Sequence, residues 1–157
     1  MAVAPIQFLQ GYELTFIINI ILSMIAGYII GAEREARGKP AGISTHTLVI
    51  TGSMLFSFVS ALVDPMSTSR IAAQIVAGVG FIGAGMILKG DDGLVVNLTT
   101  AASIWFAAGI GMALGFEMYS IAIICMVAAF FIPRIPHITK HPNSGKVIKT
   151  PRAHVSE

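Results

Sequence analysis

Residues 14–32 contain no charged side chain, and three further stretches, 46–63, 71–88 and 98–132, are nearly as clean. The last of them holds a single charge, Glu117. About 20 predominantly apolar residues is the length at which a helix crosses the ~30 Å hydrocarbon core of a bilayer. The chain is 55% hydrophobic and only 11% charged, with a mean hydropathy of +0.80. Soluble domains are usually about a quarter charged. This chain could not cover a globular surface with polar groups, so it needs lipid.

The 98–132 run is too long for one crossing. As a single helix it would extend about 52 Å at 1.5 Å per residue, so it must turn, and Gly115-Phe116-Glu117 is the natural break. The expected architecture is an all-α polytopic bundle of about five transmembrane helices, the last two over 98–114 and 118–132. A half-inserted final helix is the competing arrangement. With an odd number of spans the termini lie on opposite sides. Placing the N-terminus outside puts nine of the ten lysines and arginines on the cytoplasmic side and leaves only Arg70 outside. The positive-inside rule therefore expects an external N-terminus and a cytoplasmic C-terminus. No basic residue precedes the first apolar run, so it is expected to remain as a span and not be cleaved as a signal peptide. A transmembrane domain over 1–133 and a basic, disordered, lipid-facing tail over 134–157 complete the layout.

Several function classes fall away. The basic residues are not interleaved with aromatics along a stripe, so nucleic acid is not an expected partner. Cys125 is alone in an apolar run, which excludes an intrachain disulfide and a cysteine-based metal site. His137, His141 and His154 in the tail lack the spacing of a metal cage. Asn97-Leu98-Thr99 fits a glycosylation acceptor but stands on the cytoplasmic side at a helix start, where Asn97 is expected to be an N-cap. Residues 78–83 match the dinucleotide fingerprint letter for letter, yet they lie inside a span with no preceding strand. No nucleophile–base pair or cofactor loop remains, so an enzyme is not expected.

Polar groups in a lipid core are costly unless they face protein or water, so their helical spacing is informative. Asn19, Ser23, Ala26 and Glu33 share one face of the first span, and His46, Ser53, Ser57 and Ser60 line the second. Arg70, Gln74, Gly78, Phe81 and Gly85 share a side of the third, and Thr99 and Ser103 lie one turn apart in the fourth. Together they predict a bundle with a polar interior, where these groups serve either as interhelical glue or as a ligand path. Gly27-xxx-Gly31 and Gly111-xxx-Gly115 are close-approach motifs. Gly78, Gly80, Gly83 and Gly85 predict either tight backbone packing or a broken helix that exposes carbonyls to an ion.

The densest charge is in residues 31–42. Glu33 and Arg37, and Glu35 and Lys39, stand at i,i+4 and can pair on one helix, which Gly38 and Pro40 then end. Glu33 continues the Asn19–Ala26 face toward the bundle interior. The candidate ligand or ion pathway comprises Glu33, Arg34, Glu35, Arg37, Lys39, His46, Thr99 and Thr100 at the cytoplasmic mouth, with Asp64, Arg70 and Gln74 at the opposite one. Glu33 and Asp64 are the candidate metal-binding carboxylates. An anion or proton path fits the surrounding cations about as well.

The chain resembles the MgtC/SapB family of small inner-membrane proteins. The resemblance is carried by Gly31-Ala32-Glu33-Arg34-Glu35, Gly38-Lys39-Pro40-Ala41-Gly42 and Thr45-His46, by Asp64-Pro65 and residues 70–75, by the glycine run 78–85, and by Leu98-Thr99-Thr100-Ala101-Ala102-Ser103-Ile104-Trp105. It spans about residues 14–132. It implies five spans with a cytoplasmic C-terminus and a link to Mg²⁺, to growth at low Mg²⁺ and, in intracellular pathogens, to survival inside macrophages. It also implies a second role, action on another membrane complex such as the proton-driven ATP synthase. Longer members carry a C-terminal ACT-like regulatory domain, which this chain is expected to lack. Membrane lipid, a homo-oligomer and another membrane complex are the expected partners; Mg²⁺ is the one ion implied.

Overall fold

A computed structural model describes residues 11–89 and 94–135. Five helices follow in order: α1 (Tyr12–Ala36), α2 (Ile43–Val63), α3 (Ser69–Met86), α4 (Leu98–Gly115) and α5 (Tyr119–Phe131). The last continues into a 3-10 turn, Ile132–Arg134. Between α3 and α4, β1 (Leu88–Lys89) and β2 (Val95–Val96) pair antiparallel, with Leu88 opposite Val96. The four helices α1 to α4 are long and apolar enough to cross a membrane, and the chain is an all-α membrane protein. The 13 residues of α5 reach about 20 Å, and about 26 Å with the 3-10 turn. The expected fifth crossing is therefore the shortest helix of the bundle. The tail expected after residue 133 lies, beyond Ile135, outside the described residues, as do its three histidines.

Local chemistry sets the helix ends. At the end of α1, Gly38 adopts φ +63°; its N–H donates to the Glu35 carbonyl (2.9 Å) and the Lys39 N–H to the Arg34 carbonyl (3.0 Å). This is the Schellman pattern, for which glycine is the usual residue because it has no Cβ to clash in the left-handed region. The end of α4 repeats it with Glu117 at φ +58°: Glu117 N–H to the Leu114 carbonyl (3.0 Å) and Met118 N–H to the Ala113 carbonyl (2.7 Å). The turn expected at 115–117 is thus a Schellman stop in which a glutamate occupies glycine's usual place. Helix α2 stops at Asp64 because the following proline disfavours α geometry in the residue before it. Asn97 does sit at the N-cap of α4, but it lies at φ 65° and its side chain makes no capping bond. Its carbonyl instead accepts from Ala101 N–H (2.9 Å).

Helix α2 is the hub, packed between α1 and α4. A Cβ added at Gly27 or Gly31 would come under 3.0 Å from the backbone of Thr47 or Ile43. One added at Gly111 or Gly115 would strike the carbonyl of Ile50 or Met54. These four glycines let three backbones approach closely. Ile30, Ile50, Met54, Phe58, Ile110 and Leu114 fill the space between them, and the Phe16 and Phe58 rings meet at a 41° tilt with centroids 5.3 Å apart. In lipid the tails are as apolar as these side chains, so close packing and interhelical hydrogen bonds drive assembly more than the hydrophobic effect does.

Helix α3 departs from expectation. It is continuous from Ser69 to Met86 and is not broken at its glycines. It buries Ile75, Val79 and Gly83, packing on Ile104 and Ala108 of α4. The face carrying Arg70, Gln74, Gly78, Phe81 and Gly85 is exposed. Around Gly78, Gly80 and Gly85 an added Cβ would meet nothing within 4 Å, and at Gly83 only ordinary contact with Ala101. The polar interior is therefore built by α1, α2 and α4, where Asn19, Ser23, Ser53, Ser57 and Ser60 are buried. Periodicity groups the α3 residues correctly, but a stripe of small residues is as acceptable to lipid as to protein, so spacing alone does not orient it.

Candidate functional site

The charged end of the bundle gathers side chains from α1, α2, α4 and the turn after α5. The last turn of α1 carries Glu33 and Arg34 inward, with exposures of 6% and 1%. The Arg34 guanidinium crosses to the first turn of α4, where Nη2 donates to the Thr100 hydroxyl at 3.1 Å. Its Nε is buried and has no hydrogen-bond partner among the described residues. The Glu33 side chain is 2% exposed and faces two arginines, Arg37 Nε at 3.4 Å and Arg134 Nη1 at 3.9 Å. Neither carboxylate oxygen accepts a hydrogen bond among the described residues. The ion pairs thus supply charge compensation without filling the acceptor sites of the carboxylate.

His46 is fully buried in the first turn of α2. Its Nδ1 lies 2.9 Å from the Gly42 carbonyl and its Nε2 3.2 Å from the Ser103 hydroxyl. A carbonyl can only accept, so Nδ1 carries a proton. Ser103 Oγ in turn lies 2.8 Å from the Thr100 carbonyl. It has one hydrogen to give, either to that carbonyl or to Nε2. When it is given to the carbonyl, the Nε2 contact is a hydrogen bond only if Nε2 carries a proton; when it is given to Nε2, that nitrogen accepts it. Ser103 thereby links His46 to the backbone of Thr100, whose side chain holds Arg34.

Glu35 takes a different role from the expected pairing with Lys39. Because α1 ends at Ala36, Lys39 lies past the left-handed Gly38 and off the helix surface. Glu35 Oε1 accepts from the Ile43 N–H at 2.9 Å. It thereby caps α2, which has no side-chain cap of its own, and places negative charge at the positive end of the helix dipole. A Cβ at Gly42 would occupy the position of this carboxylate, so a larger residue there would displace the Glu35 cap.

Arg37, Lys39 and Thr99 are exposed and line a cavity of about 910 Å³ together with Arg34, Ser103 and Arg134. The Arg37 guanidinium also donates to the Pro133 carbonyl, and Arg134 to the Phe130 carbonyl. The Arg134 Cζ stands 3.6 Å above the centroid of the Phe130 ring, a cation–π contact. Arg134 was not among the expected site residues, and its one signal in the sequence is that it is the first base after the last apolar run. Ser103 was legible only as the residue one turn beyond Thr99.

The remaining candidates are elsewhere. Asp64 is exposed at the C-cap of α2, eighteen residues along the helix from His46, about 27 Å at 1.5 Å per residue. Arg70 is exposed at the start of α3, and Gln74 lines a separate apolar groove of about 600 Å³ between α2 and α3. The structure therefore joins Glu33, Arg34, Arg37, His46 and Thr100 and leaves Asp64, Arg70 and Gln74 apart. Among the described residues no group of three or more His, Cys, Asp or Glu side chains could hold a metal ion.

Residues 20–139 match the MgtC family. The chain is 47% identical over 131 residues to a protein of Escherichia coli strain K12 named "Putative magnesium transporter YhiD", covering 78% of this chain and 60% of that protein. It is 44% identical over 109 residues to "Protein MgtC" of Salmonella typhimurium strain LT2, covering 69% and 46% respectively. It is 34% identical over 133 residues to "Protein SapB" of Bacillus subtilis strain 168, covering 74% and 56%. The chain thus spans about half to three-fifths of the length of these relatives. None of the three names is that of an enzyme. No solved structure matches the chain.

Proposed function

The chain belongs to the MgtC family, and from that premise we propose that it serves Mg²⁺ transport or homeostasis in the cell's inner membrane, through the polar site at the cytoplasmic end of the bundle. The observation that carries this reading is Glu33. It is a buried carboxylate whose oxygens accept no hydrogen bond among the described residues, and its two counter-ions, Arg37 and Arg134, are about 40% exposed at the side chain. Such arginines can swing away to solvent and release the carboxylate. Mg²⁺ dehydrates reluctantly and is commonly held by one or two carboxylates and several waters, so a single carboxylate that its arginines can release suits it. The name of the Escherichia coli relative points the same way. The test is Mg²⁺ flux into liposomes containing only this protein. Flux is expected for the wild type and is expected to be lost in Glu33→Ala. No flux from the wild type, or equal flux from the variant, sinks the transport form of the proposal.

A second reading is favoured by α3. Its outer face carries the small residues Gly78, Gly80 and Gly85 beside the exposed Phe81, and an added Cβ at any of the three glycines would meet nothing within 4 Å. Small residues on a lipid-facing helix suit close approach by a helix of another protein. In this reading the chain regulates another membrane complex, such as the ATP synthase that the resemblance implies. Crosslinking from native membranes with a photoreactive residue at position 78 is expected to capture a heterologous membrane protein. Recovery of self-contacts alone counts against it.

A further inference from the structure

The cavity at the charged end has a composition that the Mg²⁺ reading does not use. Four cationic side chains line it, Arg34, Arg37, Lys39 and Arg134, and no carboxylate does. The rest of the wall is largely apolar, with Ile30 and Phe106 among its residues. Glu33 neutralises part of the charge of Arg37 and Arg134. Lys39 is in no ion pair with a carboxylate among the described residues. Arg34 is 1% exposed, and its Nε has no hydrogen-bond partner there. A buried guanidinium N–H without an acceptor is a strong demand for one, since charged donors are the costliest to leave unmatched.

We propose that this cavity binds a phosphate group, with the Arg34 and Lys39 side chains as its principal donors. Guanidinium presents a planar fork of N–H groups that matches phosphate oxygens, and an ammonium adds a point charge. The size and the walls favour an amphiphile. At about 910 Å³ the cavity is far larger than an inorganic phosphate, and an acyl chain would lie along Ile30 and Phe106. A phospholipid headgroup and free phosphate offer the same chemistry, and the experiment separates them. The proposal rests on the cavity alone and stands independently of Mg²⁺ passage.

The test is native mass spectrometry and thermal-shift titration of the purified protein with three probes: phosphatidylglycerol, diacylglycerol of the same chains, and inorganic phosphate. Phosphatidylglycerol is expected to remain bound and raise the melting temperature, with diacylglycerol inert. Arg34→Gln is expected to weaken phosphatidylglycerol binding at least tenfold and Lys39→Gln about threefold. Because Arg34 is buried and its variant could fail to fold, the exposed Lys39 keeps the test decisive on its own. Stabilisation by inorganic phosphate alone, equally sensitive to Lys39→Gln, assigns the site to free phosphate and supports the shared chemistry. Equal binding of diacylglycerol and phosphatidylglycerol, binding of phosphatidylglycerol unchanged in both variants, or no effect of any probe overturns it. Mg²⁺ flux lost in Glu33→Ala with lipid binding intact would separate the two proposals.

Discussion

Arg34 on α1 and Thr100 on α4 are joined side chain to side chain at 3.1 Å across 66 residues of sequence. The bond closes the charged end of the bundle, because the same turn of α4 places Ser103 beside His46 of α2. Three helices thereby share one buried network. Interhelical bonds of this kind in membrane proteins contribute about 0.6 kcal/mol on average and up to about 1.7 kcal/mol; a cationic donor places this one toward the upper end.

Thr100→Val keeps the shape of the side chain and removes the acceptor. It is expected to destabilise the protein by about 1.5 kcal/mol, measured by thermal unfolding in detergent. Thr100→Ser retains the hydroxyl and is expected to recover most of that loss. A loss in Thr100→Ser with none in Thr100→Val would show that the methyl group, not the hydrogen bond, carries the contact.

The glycines divide into two groups whose substitutions have opposite signs. Gly31→Ala and Gly111→Ala drive a Cβ into the backbone of α2 and are each expected to destabilise by about 1–3 kcal/mol. At Gly78 and Gly85 a Cβ meets nothing, so alanine is expected to stabilise the isolated protein by about 0.5–1 kcal/mol through helix propensity. Melting curves of the four variants in one detergent check the contrast.

Glu117 holds a left-handed conformation, φ +58°, that is unfavourable for a residue with a Cβ by about 1–2 kcal/mol. Glu117→Gly is expected to raise stability by about 0.5–1 kcal/mol, the remainder being offset by the greater freedom of glycine in the unfolded chain. A lower melting temperature would show that the Glu117 side chain makes a stabilising contribution larger than the backbone strain.

The Gly42 carbonyl requires a proton on Nδ1 of His46 in either charge state. The imidazole ¹⁵N spectrum of selectively labelled protein is expected to show Nδ1 protonated throughout the titration, with only Nε2 exchanging its proton. Ser103→Ala is expected to leave Nδ1 unchanged and shift Nε2 alone. An Nδ1 resonance typical of a bare nitrogen contradicts the assigned geometry.

Amino-acid order alone settles the membrane class, the helix boundaries to within a few residues and the place where the long apolar run turns. Those are local properties: apolar length sets what can cross lipid, and Gly38, Pro65 and the 115–117 turn act within a few residues of themselves. It also determined the two glycine pairs of α1 and α4, because spacing of four on a helix marks one face. Tertiary structure alone decided the rest. The α3 stripe of Arg70, Gln74 and glycines reads like the polar stripes of α1 and α2, yet it faces outward, since helical period groups residues on a face without saying which neighbour the face meets. Glu33 was legible as an inward carboxylate and its pairing with Arg37 followed from the i,i+4 spacing, but its second arginine was not, because Arg134 arrives from beyond α5. The pairing of Glu35 with Ile43 instead of Lys39 followed from where α1 stops, and the union of Arg34, His46, Thr100 and Ser103 followed from three helices packing through glycines.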